Sequence, residues 1–214
     1  MSARKSSPAS PLSRERIVET ALALVDREGI DALSMRRLGS ELGVDPMAIY
    51  YHVPNKDALL DAIVEAVMTE IDLTADDPSA TAEERAMVAA RAYRDAMLAH
   101  ANALPIVLSR SPATPAALRP VELLVGILRD AGLPTRQAVA GMNVLAAAVR
   151  GAVGMYANDP APADAEAQLR TLGQSVSAGE FPNLHAALTC FPTDLEEDFE
   201  FGVRALVRGL LDSR

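Results

Sequence analysis

Between Ser13 and Asn55 the chain is cut into three short helices by its own capping residues. Ser13 is a natural N-cap, and Ile17, Ala21, Leu24 and Val25 then recur at i, i+4, i+7 and i+8, which makes one apolar face of a helix that Gly29 closes. Ser34 caps a second helix carrying Leu38 and Leu42 on one face. Gly43 ends it, because glycine takes the left-handed backbone of a sharp turn without strain. Asp45 followed by Pro46 starts a third helix, an acidic cap before proline at the first helical position, and Pro54 closes it after His52 or Val53. Asn55 caps a fourth, longer helix with Leu59, Leu60, Ile63, Val64, Val67, Met68 and Ile71 as a broad apolar stripe.

The remainder continues in the same idiom. Further helices are expected at 81–103, 105–110, 114–131, 135–157, 163–178 and 193–212. The breaks between them are 74–81 (TADDPSAT), Pro112, Gly132-Leu133-Pro134, Asp159-Pro160 and Phe191-Pro192. Half the residues are apolar but Trp is absent, so the core is built from Ala, Leu, Val, Ile and Met, among which Ala, Leu and Met lead the helix-propensity ranking. With no alternating strand pattern and no repeat, the fold class is all-α: an N-terminal three-helix domain followed by a larger helical domain. The boundaries expected are 1–12 for a Ser/Pro-rich disordered arm, 13–55 for the head and 56–214 for the body.

A single cysteine, Cys190, makes no internal disulfide, and no apolar signal segment opens the sequence, so a cytoplasmic setting is expected. Residues 138–157 are nearly long enough to span a bilayer. Arg150 and Asn143 interrupt them, and Ala and Gly dominate their apolar content, so the segment reads as a helix buried in protein, with no membrane. The net charge of −9 argues at first against a polyanionic partner. Its distribution reverses that. Residues 1–60 balance eight basic against eight acidic side chains, so the whole deficit lies beyond them and any nucleic-acid contact belongs to the N-terminal quarter.

The segment Ser34–Lys56, SMRRLGSELGVDPMAIYYHVPNK, has the spacing of a helix-turn-helix, with Leu38, Leu42, Val44 and Ile49 inward. Its third helix offers Met47, Ala48, Tyr50, Tyr51 and His52, with Ile49 as its one obvious core residue. Consecutive helical positions diverge by about a third of a turn, so at most one tyrosine packs well; Tyr50 is expected partly packed and Tyr51 outward. In a major groove, Met47 and Ala48 suit thymine methyls. Tyr50, Tyr51, His52 and Lys56 suit phosphates, and Arg36 suits phosphate or guanine.

From Ile17 to about Asp61 the chain resembles the tetracycline repressor family. The matching features are Ser34, Arg36-Arg37, Leu42-Gly43-Val44, Tyr50-Tyr51-His52, Asn55-Lys56 and Leu59-Leu60, in order. The resemblance implies DNA contacts from Arg36, Met47, Ala48, Tyr50, Tyr51, His52 and Lys56, with the base preference altered where Met47-Ala48 stand for Pro-Thr and Tyr51 for Trp. It further implies a transcriptional repressor that leaves a palindromic operator when a small-molecule effector binds the body.

One helix-turn-helix covers a half-site, so a homodimer is expected. Helices 135–157 and 193–212 are suited to forming it. The last carries Leu195, Phe199, Val203, Leu206 and Leu210 beside the small residues Gly202, Ala205 and Gly209, and the other carries Gly141, Ala148 and Gly151. Met68, Met97, Met142 and Met155 are candidate effector-lining residues because methionine adapts to irregular apolar ligands, although methionine at this spacing also serves as ordinary core. His100 is a further candidate, placed by the resemblance where the tetracycline repressor uses a histidine toward its metal-chelated drug. The rest of that drug site is not recognisable, with Asp72 standing where another histidine belongs.

Two other readings compete: a helical enzyme and a ligand-independent DNA-binding scaffold. The enzyme reading lacks converging groups. His52, His100 and His185 are scattered, Cys190 has no motif around it, and Glu196-Glu197-Asp198 is a dipole-favoured helix start. No catalytic residue, metal site or cofactor is expected.

Overall fold

The computed structural model describes residues 11–157, 162–190 and 194–213; most of the expected arm and the breakers Asp159-Pro160 and Phe191-Pro192 lie outside them. Among the described residues there are eleven α-helices, three short 3-10 turns and no strand. In chain order the helices are α1 Arg14–Glu28, α2 Met35–Leu42, α3 Pro46–Tyr50, α4 Lys56–Thr69, α5 Ala82–Ala99, α6 Leu104–Ser109, α7 Arg119–Asp130, α8 Thr135–Ala157, α9 Pro162–Ser175, α10 Pro182–Ala187 and α11 Leu195–Asp212. They form two compact units, one of the described residues up to Ile71 with Ala99–Pro120, the other Asp72–Leu98 with Val121 onward.

The caps read from sequence do their work. Ser13, Ser34 and Asn55 accept the backbone N–H three residues on, from Arg16, Arg37 and Ala58, at 3.2, 3.2 and 2.8 Å. Asp45 accepts from Met47 at 2.8 Å, with Pro46 opening α3. In the first unit α1 packs on α2 and α4, and α2 on α3. Ile17, Leu24, Leu38, Ile49, Leu59 and Ile63 are fully buried.

Several boundaries differ from the sequence reading: α3 ends at Tyr50 rather than His52 or Val53, and α9 at Ser175 rather than 178. Helix α5 ends at Ala99 rather than 103, because His100 leaves helical geometry (φ −126°, ψ 43°) and turns its ring elsewhere. Helix α7 starts at Arg119 rather than 114, after a turn in which the Leu118 N–H meets the Thr114 carbonyl at 3.0 Å while Glu65 of α4 accepts from the Ala113 and Thr114 N–H groups. The short helix α10 and the turn Leu188–Cys190 fall where no helix was expected.

In the second unit α11 lies along α8. Phe199, Val203 and Val207 form the buried face of α11; Leu206 lines one groove with Phe199 and Val203 as expected but is 37% exposed, and Phe201 is 79% exposed. Gly141 is not part of an open small-residue stripe. A Cβ there would sit 3.1 Å from Leu210 and 3.3 Å from Leu128, so the glycine permits close packing inside the unit. Helix α5 is bound to α11 by charge: Arg94 reaches Glu196 at 2.7 Å and stacks 4.5 Å from the Phe199 ring centroid, Arg91 meets Glu200 at 2.7 Å, and Arg204 meets Glu83 at 3.0 Å. Among the described residues α8 alone is long and apolar enough to cross a membrane, and only 28% of its most apolar window is buried. Within the protomer Leu145, Val149 and Val153 are inside, while Val144 and Met155 face out.

Candidate nucleic-acid interface

The helix-turn-helix is held from below. Leu38 and Ile49 are sealed in the core, Leu42 is buried and Val44 is half-buried. Gly43 takes the left-handed conformation (φ 68°, ψ 32°), and its N–H and that of Val44 close the end of α2 on Ser40 and Gly39. Gly39 is a requirement the sequence reading missed. A Cβ at that position would lie 3.0 Å from the Val44 carbonyl and 3.2 Å from Pro46 Cγ, so any larger residue would push the turn and α3 away from α2 by a few tenths of an ångström. The visible signal was a glycine in the middle of an otherwise good helix.

With Ile49 and Val53 buried, the rest of α3 and its exit are turned outward. Tyr51 is 88% exposed, Met47 64% and Tyr50 39%. Ala48 is half-buried and His52 exposed. Tyr50 is the more covered of the two tyrosines, in the order expected. Arg36 lies on the exposed face of α2 and, among the described residues, has no ion-pair partner. Its neighbour Arg37 is tied to Glu28 and Glu41, both at 2.8 Å. Of the paired basic residues, then, only Arg36 keeps an unopposed charge for a polyanion. Lys56 is exposed, but its ammonium donates to the Leu33 carbonyl at 2.7 Å.

The residues suggested for an effector fall in both units. Met68 is buried in the first, Met97 is buried in the second, and Met142 is half-buried on α8 in the second. His100 belongs to the first unit, where both ring nitrogens are taken: Nδ1 is 2.9 Å from Asp26 and Nε2 is 2.7 Å from Glu70. Neither nitrogen is left for a ligand or an ion. The ring instead joins the C-terminal ends of α1 and α4, and Asn102 reinforces it by donating to the Asp26 carbonyl at 2.8 Å.

Burial opposes a charged His100 ring, but the hydrogen bonds of Glu70 and then Asp26, with their charges, outweigh it and hold its pKa above the ordinary histidine value. A raised folded-state pKa means that the clamp contributes its full stability below the unfolded value of about 6.5 and loses it as pH rises through the folded pKa. Thermal melts between pH 5.5 and 8.5 are expected to show this loss, and His100→Gln to flatten it. An equally pH-dependent His100→Gln protein would show that the dependence comes from other groups.

The comparisons with known proteins agree with this architecture. The model of bacterial regulatory proteins of the tetR family matches residues 17–63, and that of the tetracyclin repressor-like C-terminal domain matches residues 74–214. The tetracycline repressor protein class C of Escherichia coli is 31% identical, over 93% of this chain and 90% of its own. The structure of Streptomyces coelicolor ActR in complex with actinorhodin superposes with a TM-score of 0.83 at 34% identity, covering 95% of this chain and 99% of that one. The structure of BioQ with its double-stranded DNA operator has a TM-score of 0.66 at 25% identity, covering 94% and 99%. A helix-turn-helix head matched by one family model and a helical body matched by the other make this chain a member of the TetR family of transcriptional regulators.

Proposed function

We propose that this chain is a cytoplasmic, ligand-responsive repressor that holds a palindromic operator with two heads and releases it when a small molecule binds its body. The observation that carries the reading is α3, which spends one core residue on its own fold and turns Met47, Tyr50, Tyr51 and His52 to solvent beside the unpaired Arg36. Exposed aromatics cost hydration unless a partner covers them, and a duplex groove offers methyls, base edges and phosphates to this set. Complexes of relatives support both partners: ActR with actinorhodin for a small molecule, BioQ with its operator for DNA.

The two copies are joined through α8 and α11. Val144 and Met155 of α8 and Phe201 and Leu206 of α11 are large apolar side chains left uncovered in the protomer. Between the two helices runs a groove of about 350 Å³ lined by Gly151, Met155, Phe199 and Gly202 among others. Added Cβ atoms at Gly151 and Gly202 would touch nothing within 4 Å, so these positions are open to a second backbone. A symmetric four-helix contact covers both faces and accounts for the apolar exterior of α8.

The test is a gel-shift titration on palindromic fragments flanking the gene, repeated over a salt series. Log K should fall by about 0.9 per phosphate neutralised for each unit of log salt. Tyr51→Ala should weaken binding about tenfold with the fold intact, as expected for loss of one good groove contact. A wild-type protein that shifts none of these fragments would overturn the operator reading.

A further inference from the structure

The lysine that opens α4 has a role that charge alone would not assign. A cation at the first residue of a helix faces the positive end of the macrodipole, so Lys56 is poorly placed for α4 itself. What the position offers is reach. Its ammonium crosses 23 residues of sequence to the Leu33 carbonyl, at 2.7 Å. That carbonyl needs a donor. Leu33 is 1% exposed, and the first bond of α2 is made one residue later, from the Leu38 N–H to the Ser34 carbonyl, which leaves the Leu33 oxygen outside the helix ladder. A buried carbonyl with no partner costs about 1–3 kcal/mol.

The connector concerned is the stretch between α1 and α2: the turn Ile30–Ala32, then Leu33, then the Ser34 cap. Its position sets where α2 starts, and α2 is the helix on which Gly39 seats the turn and α3. At the other end of the bond, Lys56 follows the Asn55 cap and the buried Val53, directly after the exit from α3. One hydrogen bond therefore ties the entry of the helix-turn-helix to its exit.

We propose that Lys56 is a positioning residue for operator binding, its ammonium acting as a strut from α4 to the Leu33 carbonyl that fixes the seat of α2 and α3. The inference rests on the operator-binding reading above, but its first readout does not need DNA.

The variants are Lys56→Met, which keeps the stem and removes the donor, and Lys56→Arg, which keeps a donor. In the free protein, hydrogen exchange at the amides of Met35 to Leu38 should accelerate severalfold in Lys56→Met and stay near wild type in Lys56→Arg. On operator DNA, Lys56→Met should bind about five- to tenfold more weakly, whereas Lys56→Arg, which keeps both donor and charge, should stay near wild type. Exchange unchanged in Lys56→Met, or accelerated equally in Lys56→Arg, overturns the strut. Failure of the wild-type protein to bind any fragment overturns the operator reading instead, while the exchange result continues to judge the strut.

Discussion

Phe201→Glu combined with Gly151→Leu is expected to yield folded monomers that have lost operator binding. Both changes fall where the protomer has room. Phe201 is 79% exposed, and an added Cβ at Gly151 meets no atom within 4 Å. Exposed substitutions of this kind usually change stability by less than about 0.5 kcal/mol, so the unit should retain its helicity and its melting temperature as a chain. The cost falls on the partner. A carboxylate replaces an aromatic in the covered patch, and a branched side chain blocks the close backbone approach that the small residues permit. Two linked heads gain roughly 10²–10⁴ over one through effective concentration, and loss of the dimer removes that whole factor. Light scattering coupled to size exclusion reads the mass, and a gel-shift titration reads the affinity. A variant that remains dimeric would move the interface away from α8 and α11.

Ile49→Ala is expected to melt the head and leave the second unit folded and dimeric. Ile49 is fully buried and is the main side chain holding α3, a helix of five residues that cannot persist without tertiary support. Truncations of this type cost about 2–5 kcal/mol, comparable with the entire stability of a small head. Two-stage thermal unfolding by circular dichroism, with the first stage shifted down, and loss of operator binding at constant oligomeric mass are the expected signs. A single unshifted transition with wild-type binding would show that Ile49 does not anchor the recognition helix. The contrast with Tyr51 is instructive, because the two side chains are two residues apart and fail differently: one loses the seat of the helix, the other only a contact.

How much of this was legible in the sequence follows from the reach of each interaction. The caps at Ser13, Ser34 and Asn55 act on a backbone N–H three residues away, and the left-handed Gly43 acts on its own turn. Such effects are written into neighbouring letters, which is why the helix-turn-helix, its outward Tyr51 and its inward Ile49 were readable before any coordinates. The family motif lies in the same local stretch, so the DNA-binding head was legible with it.

What only the tertiary structure decided lies between residues distant in the chain. His100 was open to a ligand on sequence grounds until Asp26 and Glu70, 74 and 30 residues away, were found on its two nitrogens. Lys56 carried a charge suited to phosphate, and only the fold put its ammonium on the Leu33 carbonyl as well. Helical periodicity marked an apolar stripe on α11, but only the packing of α8 against it separated the inward Val207 from the outward Leu206 and Phe201. Local chemistry determines where helices begin, end and turn, whereas the partner of a side chain depends on which helices pack together, and that is a property of the whole folded chain.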